Sequence, residues 1–581
     1  MHRLLGILLI AVSAVLLFWR LDGAPLWRDE GTTANWGRLM AERDRWIPYV
    51  YDFEERQLIV QAADGHDINS RLLPAMQSYL QFYVAGLSFE LLGVSEWTAR
   101  LPFALLGALA LWLLYRLGLT LFGPGVLALA PPAYAALSIF FLQAARQCRY
   151  YVIVVLAATW LLLEFCRYLR EPQQARRLGF YVRLGLGGLL LYAGNYASFV
   201  GMWAALGIFT LAHRDWRLFR GFAALSAVLA VPIAGDFFAL HAEFVSSWPP
   251  PAEESVWESY QRALAGRGSD LWRALPFVFI VPAGLALARA AGAHISGRAA
   301  ALGVVALVVV LGPLGLFDVR TAVDASPAAF WLGVLVALAL PAAFLLLYRR
   351  LPSRGLWVEA ALLAALVLIV GPAITIVAGK TGAYLRHFYQ VMPAGALLAS
   401  LALAGVARYA GPAAAVAFFA VSAFWPNLET GIGGTEYVVP RQYVRDRSYE
   451  QPMIDALASR IQPGDEVAFV RNVKGMTAYF YLPQMRWVCL LDSSAPHNQQ
   501  FRGRIPDDQF DDYRGADWYV IWDPRDEVAL GLTDEFELVW ERSYSSWTSW
   551  WDRAEPGSVR TYRLYGRRPS PVEREVPAES P

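Results

Sequence analysis

The amino-acid sequence predicts a polytopic α-helical membrane protein of about 13 transmembrane helices with a C-terminal extracytoplasmic α/β domain. Three observations predict it. Hydrophobic residues make up 56% of the 581 residues and charged residues only 17%, a balance outside the usual soluble range. Apolar runs long enough for helical spans recur as far as about residue 426. Beyond that point they give way to short β-like runs alternating with helical ones.

A helix needs ~20 mostly apolar residues to cross roughly 30 Å of hydrocarbon, because every backbone polar group must be satisfied within it. The first span is Leu4 to Trp19; no convincing cleavage site follows it. Further cores are Trp97 to Tyr115, Val126 to Leu142, Tyr151 to Phe165, Phe180 to Leu191, Phe199 to Leu211 and Phe222 to Leu240. After a polar gap come Leu275 to Leu287, Ala299 to Leu316, Ala328 to Leu347, Leu356 to Val377, Phe388 to Val406 and Pro412 to Phe424. The segment Leu73 to Leu92 is also apolar, but it carries Gln77, Ser78, Gln81, Ser88 and Glu90. Read as an interfacial helix in the first external loop (21–96), it leaves the arginine-rich turns on one side. These turns hold Arg116, Arg167, Arg170, Arg176, Arg177, Arg214, Arg217, Arg220, Arg289, Arg298, Arg349, Arg350, Arg354 and Arg408. The expected topology has a cytoplasmic N-terminus and an external C-terminus.

The transmembrane domain is expected over 1–426, an α/β domain over 427–568 and a disordered Pro- and Glu-rich tail over 569–581. Strands are expected at Glu466 to Val470, Trp487 to Leu491 and Trp518 to Trp522, with further ones at Phe536 to Trp540 and Val559 to Tyr565. Helical stretches at Pro452 to Ile461 and Val473 to Leu482 separate the first three.

A net charge of +1 gives no overall basic face and argues against a nucleic-acid partner. Three scattered cysteines, Cys148, Cys166 and Cys489, argue against a disulfide framework or zinc site. Lys380 and Lys474 are the only lysines among 50 basic residues, which reads as GC-rich coding bias of a bacterial source and is no clue to mechanism.

Asp29 and Glu30 follow the first span in the run Trp27-Arg28-Asp29-Glu30. They are either a solvated acidic pair beside an interfacial Trp27, or carboxylates close to lipid that a membrane-borne substrate can reach. The acidic loop residues Asp52, Glu54, Glu55, Asp64, His66 and Asp67 fit no standard metal-ligand spacing. Tyr192, Asn195 and Tyr196 stand at an external helix end, where aromatic residues serve as interfacial anchors or line a pocket. The tryptophans of the C-terminal domain, Trp518 to Trp551, read as core or as sugar contacts.

Four landmarks carry a resemblance. They are Trp27 with Asp29 and Glu30 after the first span, and Leu92-Gly93 leading to Arg100-Leu101-Pro102. The others are Arg146-Gln147-Cys148-Arg149-Tyr150-Tyr151, and Arg386-His387-Phe388-Tyr389 with Pro393. Over roughly residues 1 to 410 this pattern resembles the GT-C superfamily of polytopic glycosyltransferases. It is most similar to the bacterial relatives of protein O-mannosyltransferases and of the aminoarabinose transferase acting on lipid A. The departure from the family is at Leu73-Pro74, where a His-Pro-Pro or Lys-Pro-Pro element is often found.

The resemblance implies an inverting transfer of a sugar from a polyprenyl-phosphate donor to an external protein, lipid or polysaccharide. Asp29 would be the base, and Glu30 would orient substrate or tune it. Arg386, Lys380, Arg149 and Arg146 would bind the donor phosphate, while Trp27, Tyr150, Tyr389, Asn195 and Tyr196 would line the substrate. No cofactor is implied, and no metal, because the loop Gln143 to Tyr150 lacks an acidic residue. The other readings are a lipid-sugar flippase or export component and an inactive scaffold of the same fold; a transporter should carry mid-span ionisable residues or an inverted repeat.

Overall fold

The computed structural model describes residues 2–23, 26, 28–42, 58–59, 78–213, 215–236, 355–378, 389–409, 411–431, 451–470, 478, 480–482, 485–490, 516–521, 536–545 and 559–568. Helix α1 (His2–Phe18) is followed by α2 (Arg28–Glu42), α3 (Leu80–Leu92) and α4 (Glu96–Phe122). Next come α5 (Ala130–Leu137), α6 (Ile139–Arg146), α7 (Tyr151–Arg170), α8 (Leu178–Gly194), α9 (Tyr196–His213) and α10 (Trp216–Asp236). Helices α11 (Leu356–Ala378), α12 (Met392–Tyr409), α13 (Pro412–Gly431) and α14 (Gln451–Ala458) complete the helical elements used below. Among the described residues, five helices are long and apolar enough to cross a membrane: α4, α7, α9, α10 and the run Tyr389–Arg408 that includes α12. Shorter apolar stretches include Ile7–Phe18 of α1, α3, α8 and Leu356–Leu368 of α11. The expected cores at 275–287, 299–316 and 328–347 lie outside the described residues.

Helix α7 is the axis of the bundle. From Tyr151 to Leu169 only Trp160 and Arg167 are not buried, as suits a helix apolar on every side. Helix α4 packs on it with one face and leaves Leu105, Leu109 and Trp112 exposed on the other, an apolar surface suited to lipid. The chain makes α4 start firmly. Ser95 and Thr98 form a reciprocal cap, Ser95 Oγ accepting from Thr98 N–H at 3.1 Å and Thr98 Oγ1 from Ser95 N–H at 2.9 Å. Pro102 has no N–H to offer the Thr98 carbonyl four residues back. Ser88 Oγ of α3 donates to that carbonyl at 2.6 Å instead, pinning α3 to the start of α4.

The run Val126 to Leu142, expected as one span, is interrupted. A 3₁₀ turn (Val126–Leu129) leads into α5, whose first turn tolerates Pro131 and Pro132. The backbone then becomes extended at Ser138 (ψ 122°) and restarts as α6. That break lets α6 run its own course toward the end of α1. Helix α3 has 13 residues, or about 20 Å at 1.5 Å per residue, too short to cross the hydrocarbon.

The sheet has six strands in the order β1-β3-β2-β4-β6-β5: β1 (Leu58–Ile59), β2 (Glu466–Val470), β3 (Arg486–Leu490), β4 (Trp518–Ile521), β5 (Phe536–Ser545) and β6 (Val559–Arg567). Strands β1, β3, β2 and β4 run parallel, while β6 is antiparallel to both β4 and β5. Strand β1 comes from the first loop, so the sheet is not built from the C-terminal segment alone. Helix α2 lies between bundle and sheet. Its Trp36, Leu39 and Met40 join Phe82 in a core with Ile454 and Leu457 of α14 and Val467, Phe469 and Val520 of the sheet.

Candidate active site

Asp29 and Glu30 fall in the first turn of α2, not in an open loop. Glu30 is 1% exposed and Arg100 7%. Arg100 Nε donates to Glu30 Oε1 at 2.9 Å and its Nη2 to Oε2 at 2.7 Å, a two-pronged fork. The Cys148 N–H adds a third donor to Oε1 at 2.9 Å. These three donors hold the buried carboxylate in place and orient α2. The remaining edge of Arg100, Nη1, donates to the Leu21 carbonyl at 2.6 Å. This one guanidinium therefore joins α4, α2 and the chain leaving α1. Cys148 contributes only its backbone here; burial and the Glu30 charge push its thiol well up, which makes it an inert thiol.

Arg146 and Arg149 divide. Arg146 Nη1 donates to the Leu16 carbonyl at 2.6 Å and Nη2 to the Trp19 carbonyl at 2.6 Å. Longer contacts reach the carbonyls of Leu17 and Arg20. The last turn of a helix has carbonyls without intrahelical donors, and Arg146 satisfies those of α1. Both terminal nitrogens of Arg146 thus cap a helix end.

Arg149, 4% exposed, reaches Thr33 Oγ1 of α2 at 3.1 Å. Thr33 donates onward to Gln81 Oε1 at 3.0 Å, and Gln81 also accepts from the Tyr150 N–H at 3.3 Å. This chain locks α2, α3 and the start of α7 together. The Arg149 guanidinium lies 5.4 Å from the Tyr150 ring centre and 5.9 Å from that of Tyr151, within cation-π range. Tyr389, buried in a 3₁₀ turn, stacks at 4.8 Å on Tyr151. Two of the sequence landmarks, near 150 and near 389, thus meet in space.

Other expected positions are placed differently. Asn195 is buried between α8 and α9, and its Oδ1 caps α9 by accepting from the Ser198 N–H at 2.8 Å. The Tyr196 N–H donates to Ser78 Oγ at 3.3 Å, tying α9 to the approach of α3. Trp27, Lys380 and Arg386 lie outside the described residues, as does the side chain of Asp29.

Residues to which the sequence pointed no role complete the site. Gln81 and Thr33 carry the hydrogen-bond chain. Arg100 was visible in the Arg100-Leu101-Pro102 landmark and as a charge opening an apolar helix, but neither signal gave its partner. Tyr481 brings the sheet domain in. Its hydroxyl accepts from the Leu26 N–H at 2.8 Å and donates to Glu96 Oε1 at 2.6 Å. Burial, and then the Glu96 carboxylate, push its ionisation well above the ordinary value of 10.0.

Residues 77–235 match the model of the dolichyl-phosphate-mannose-protein mannosyltransferase family. The chain resembles the GT-C superfamily of membrane glycosyltransferases. The matched stretch holds Arg100, Arg146 and Arg149, while Asp29, Glu30 and Tyr389 fall outside it. No curated protein matches the chain. Among solved structures, ArnT from Cupriavidus metallidurans in the apo state is similar at 18% identity, covering 96% of this chain and 97% of that one, with a TM-score of 0.45. The same protein bound to undecaprenyl phosphate matches with the same identity and coverage and a TM-score of 0.42. The oligosaccharyltransferase of Archaeoglobus fulgidus, complexed with zinc and sulfate, is 13% identical, with 90% of this chain and 68% of that one covered and a TM-score of 0.44.

Proposed function

We propose that this protein is a GT-C-type membrane glycosyltransferase that moves a sugar from a polyprenyl-phosphate carrier to an acceptor hydroxyl on the external face of a bacterial inner membrane. The observation that supports it most is the place of Asp29. It stands one residue before a glutamate that three donors hold, in a helix locked beside the Arg149–tyrosine cluster. With Glu30 held by Arg100, the role of base is assigned to Asp29.

In this reading Asp29 takes the proton from the acceptor hydroxyl as its oxygen attacks the anomeric carbon. The bond from that carbon to the phosphate oxygen breaks, and the polyprenyl phosphate leaves with the electron pair. One displacement inverts the anomeric configuration. Arg149, together with Lys380 and Arg386 from the loop before α12, would stabilise the leaving phosphate.

Purified wild-type and Asp29→Asn proteins, given radiolabelled polyprenyl phosphate sugars and membrane extract, test the proposal. Undecaprenyl phosphate, which one of the similar structures holds, is the first carrier to try. The expected result is transfer by wild type with or without chelator, and a loss on the order of 10²–10⁴-fold in Asp29→Asn. Full transfer by the variant would sink the assignment of the base. Absence of transfer from every donor by folded wild type would favour the flippase or scaffold readings.

A further inference from the structure

At the end of the bundle away from Glu30, the turn after α7 and the start of α10 enclose a cavity of about 530 Å³. Arg176, Arg217 and Arg220 line it with Asp215, Trp216 and Gln173. Three arginines and one aspartate among the lining residues leave a formal excess of two positive charges. That carboxylate is already engaged. Asp215 Oδ1 accepts from the Arg217 N–H at 2.9 Å and Oδ2 from the Tyr168 hydroxyl at 2.6 Å. Burial pushes Asp215 up, but these bonds outweigh it and hold its ionisation below the ordinary value.

The walls are joined by design of the sequence. The Tyr181 hydroxyl lies 3.2 Å from the Ala175 carbonyl on one wall and 3.3 Å from the Arg217 carbonyl on the other. Gly221 leaves the room for it, since a Cβ there would come within 2.1 Å of that hydroxyl. Trp216, one of the lining residues, is 66% exposed, an aromatic group of the kind that marks a membrane interface.

We infer that this cavity binds the phosphate headgroup of an anionic phospholipid in the leaflet opposite the proposed reaction site. Guanidinium groups pair with phosphate oxygens through parallel N–H bonds. The exposed Trp216 gives the lipid's glycerol and acyl chains an apolar path out of the cavity. A small soluble anion would need the arginines but not that path.

The test uses the full chain in detergent with mixed phosphatidylglycerol and phosphatidylcholine, bound lipid being counted by native mass spectrometry. Three proteins are compared: wild type, Arg176→Gln/Arg217→Gln/Arg220→Gln, and Arg116→Gln/Arg177→Gln/Arg408→Gln, which loses the same charge at the same end. Wild type and the control are expected to prefer phosphatidylglycerol by roughly tenfold or more, a preference the first variant loses. Arg217→Gln alone should lose roughly threefold, which keeps the test open if the triple variant does not fold. An unchanged preference in the cavity variants overturns the proposal, and so does an equal loss in the control, which would mean diffuse surface charge. Displacement of phosphatidylglycerol by millimolar inorganic phosphate would also overturn it in favour of a free-anion site.

Discussion

The two ends of the helical bundle both gather arginines, yet they use them in opposite ways. At the Glu30 end, Arg100, Arg146 and Arg149 are buried and spend their donors on a carboxylate, on carbonyls of the α1 exit and on Thr33. At the other end, Arg176, Arg217 and Arg220 are exposed around an open cavity. Even the buried acid there, Glu164, is held from outside by Arg167 and Arg183, whose side chains are 31% and 39% exposed. Buried, partnered charges fix geometry because removing one partner strands the other. Exposed ones are screened and replaceable, and are suited to ligands that come and go. One end is built to hold a site still; the other is built to meet the membrane surface.

The largest way to break this comparison is to remove one guanidinium from each end. Arg100→Leu should destabilise the protein by about 3–5 kcal/mol, because Glu30 is left buried and uncompensated. Arg183→Leu should cost about 1 kcal/mol or less, since Glu164 keeps Arg167 and Arg183 is well solvated. Thermal unfolding of the detergent-solubilised variants checks both, and equal losses would erase the distinction between the ends.

A middle-sized effect is expected where α2 crosses α3. A Cβ on Gly37 would come within 2.8 Å of Ala85 Cβ and of the Gly86 backbone nitrogen. Gly37→Leu should therefore push α2 off α3 and cost about 1–3 kcal/mol. Transfer activity should fall with it, because α2 carries Asp29; a variant as stable and active as wild type would show that this crossing does not hold the site.

The smallest effect concerns the sheet domain. Tyr481→Phe removes the hydrogen bonds to Leu26 and Glu96 and should cost about 0.5–1.5 kcal/mol. The pH dependence has a definite sign. The folded protein favours the neutral phenol, so this contribution is fully present below pH 10 and is lost as pH rises beyond the unfolded value of about 10. Protease susceptibility of the sheet domain measured from pH 8 to 11 should rise in wild type and start already raised in Tyr481→Phe.

Much of the bundle was legible because apolar length is a local property. The runs from Trp97, Tyr151, Phe199 and Phe222 each coincide with a helix long enough to span. The alternation after residue 450 likewise anticipates β2, β3 and β4. The run from Val126 misled because hydropathy does not report a backbone break: nothing in its composition shows that Ser138 turns extended. Strand β1 was invisible too, since two residues of a loop become a strand only by pairing with Trp487 and Val488.

The site divides along the same line. By itself the sequence determined that this chain lives in a membrane, and through its landmarks it pointed to Asp29, Glu30, Arg149 and Tyr389. Only the tertiary structure decided what each charge does. Glu30 and Arg100 are 70 residues apart, and Arg146 reaches carbonyls about 130 residues earlier in the chain. Apolar length is written residue by residue, whereas a charge takes its role from the partner that folding brings to it.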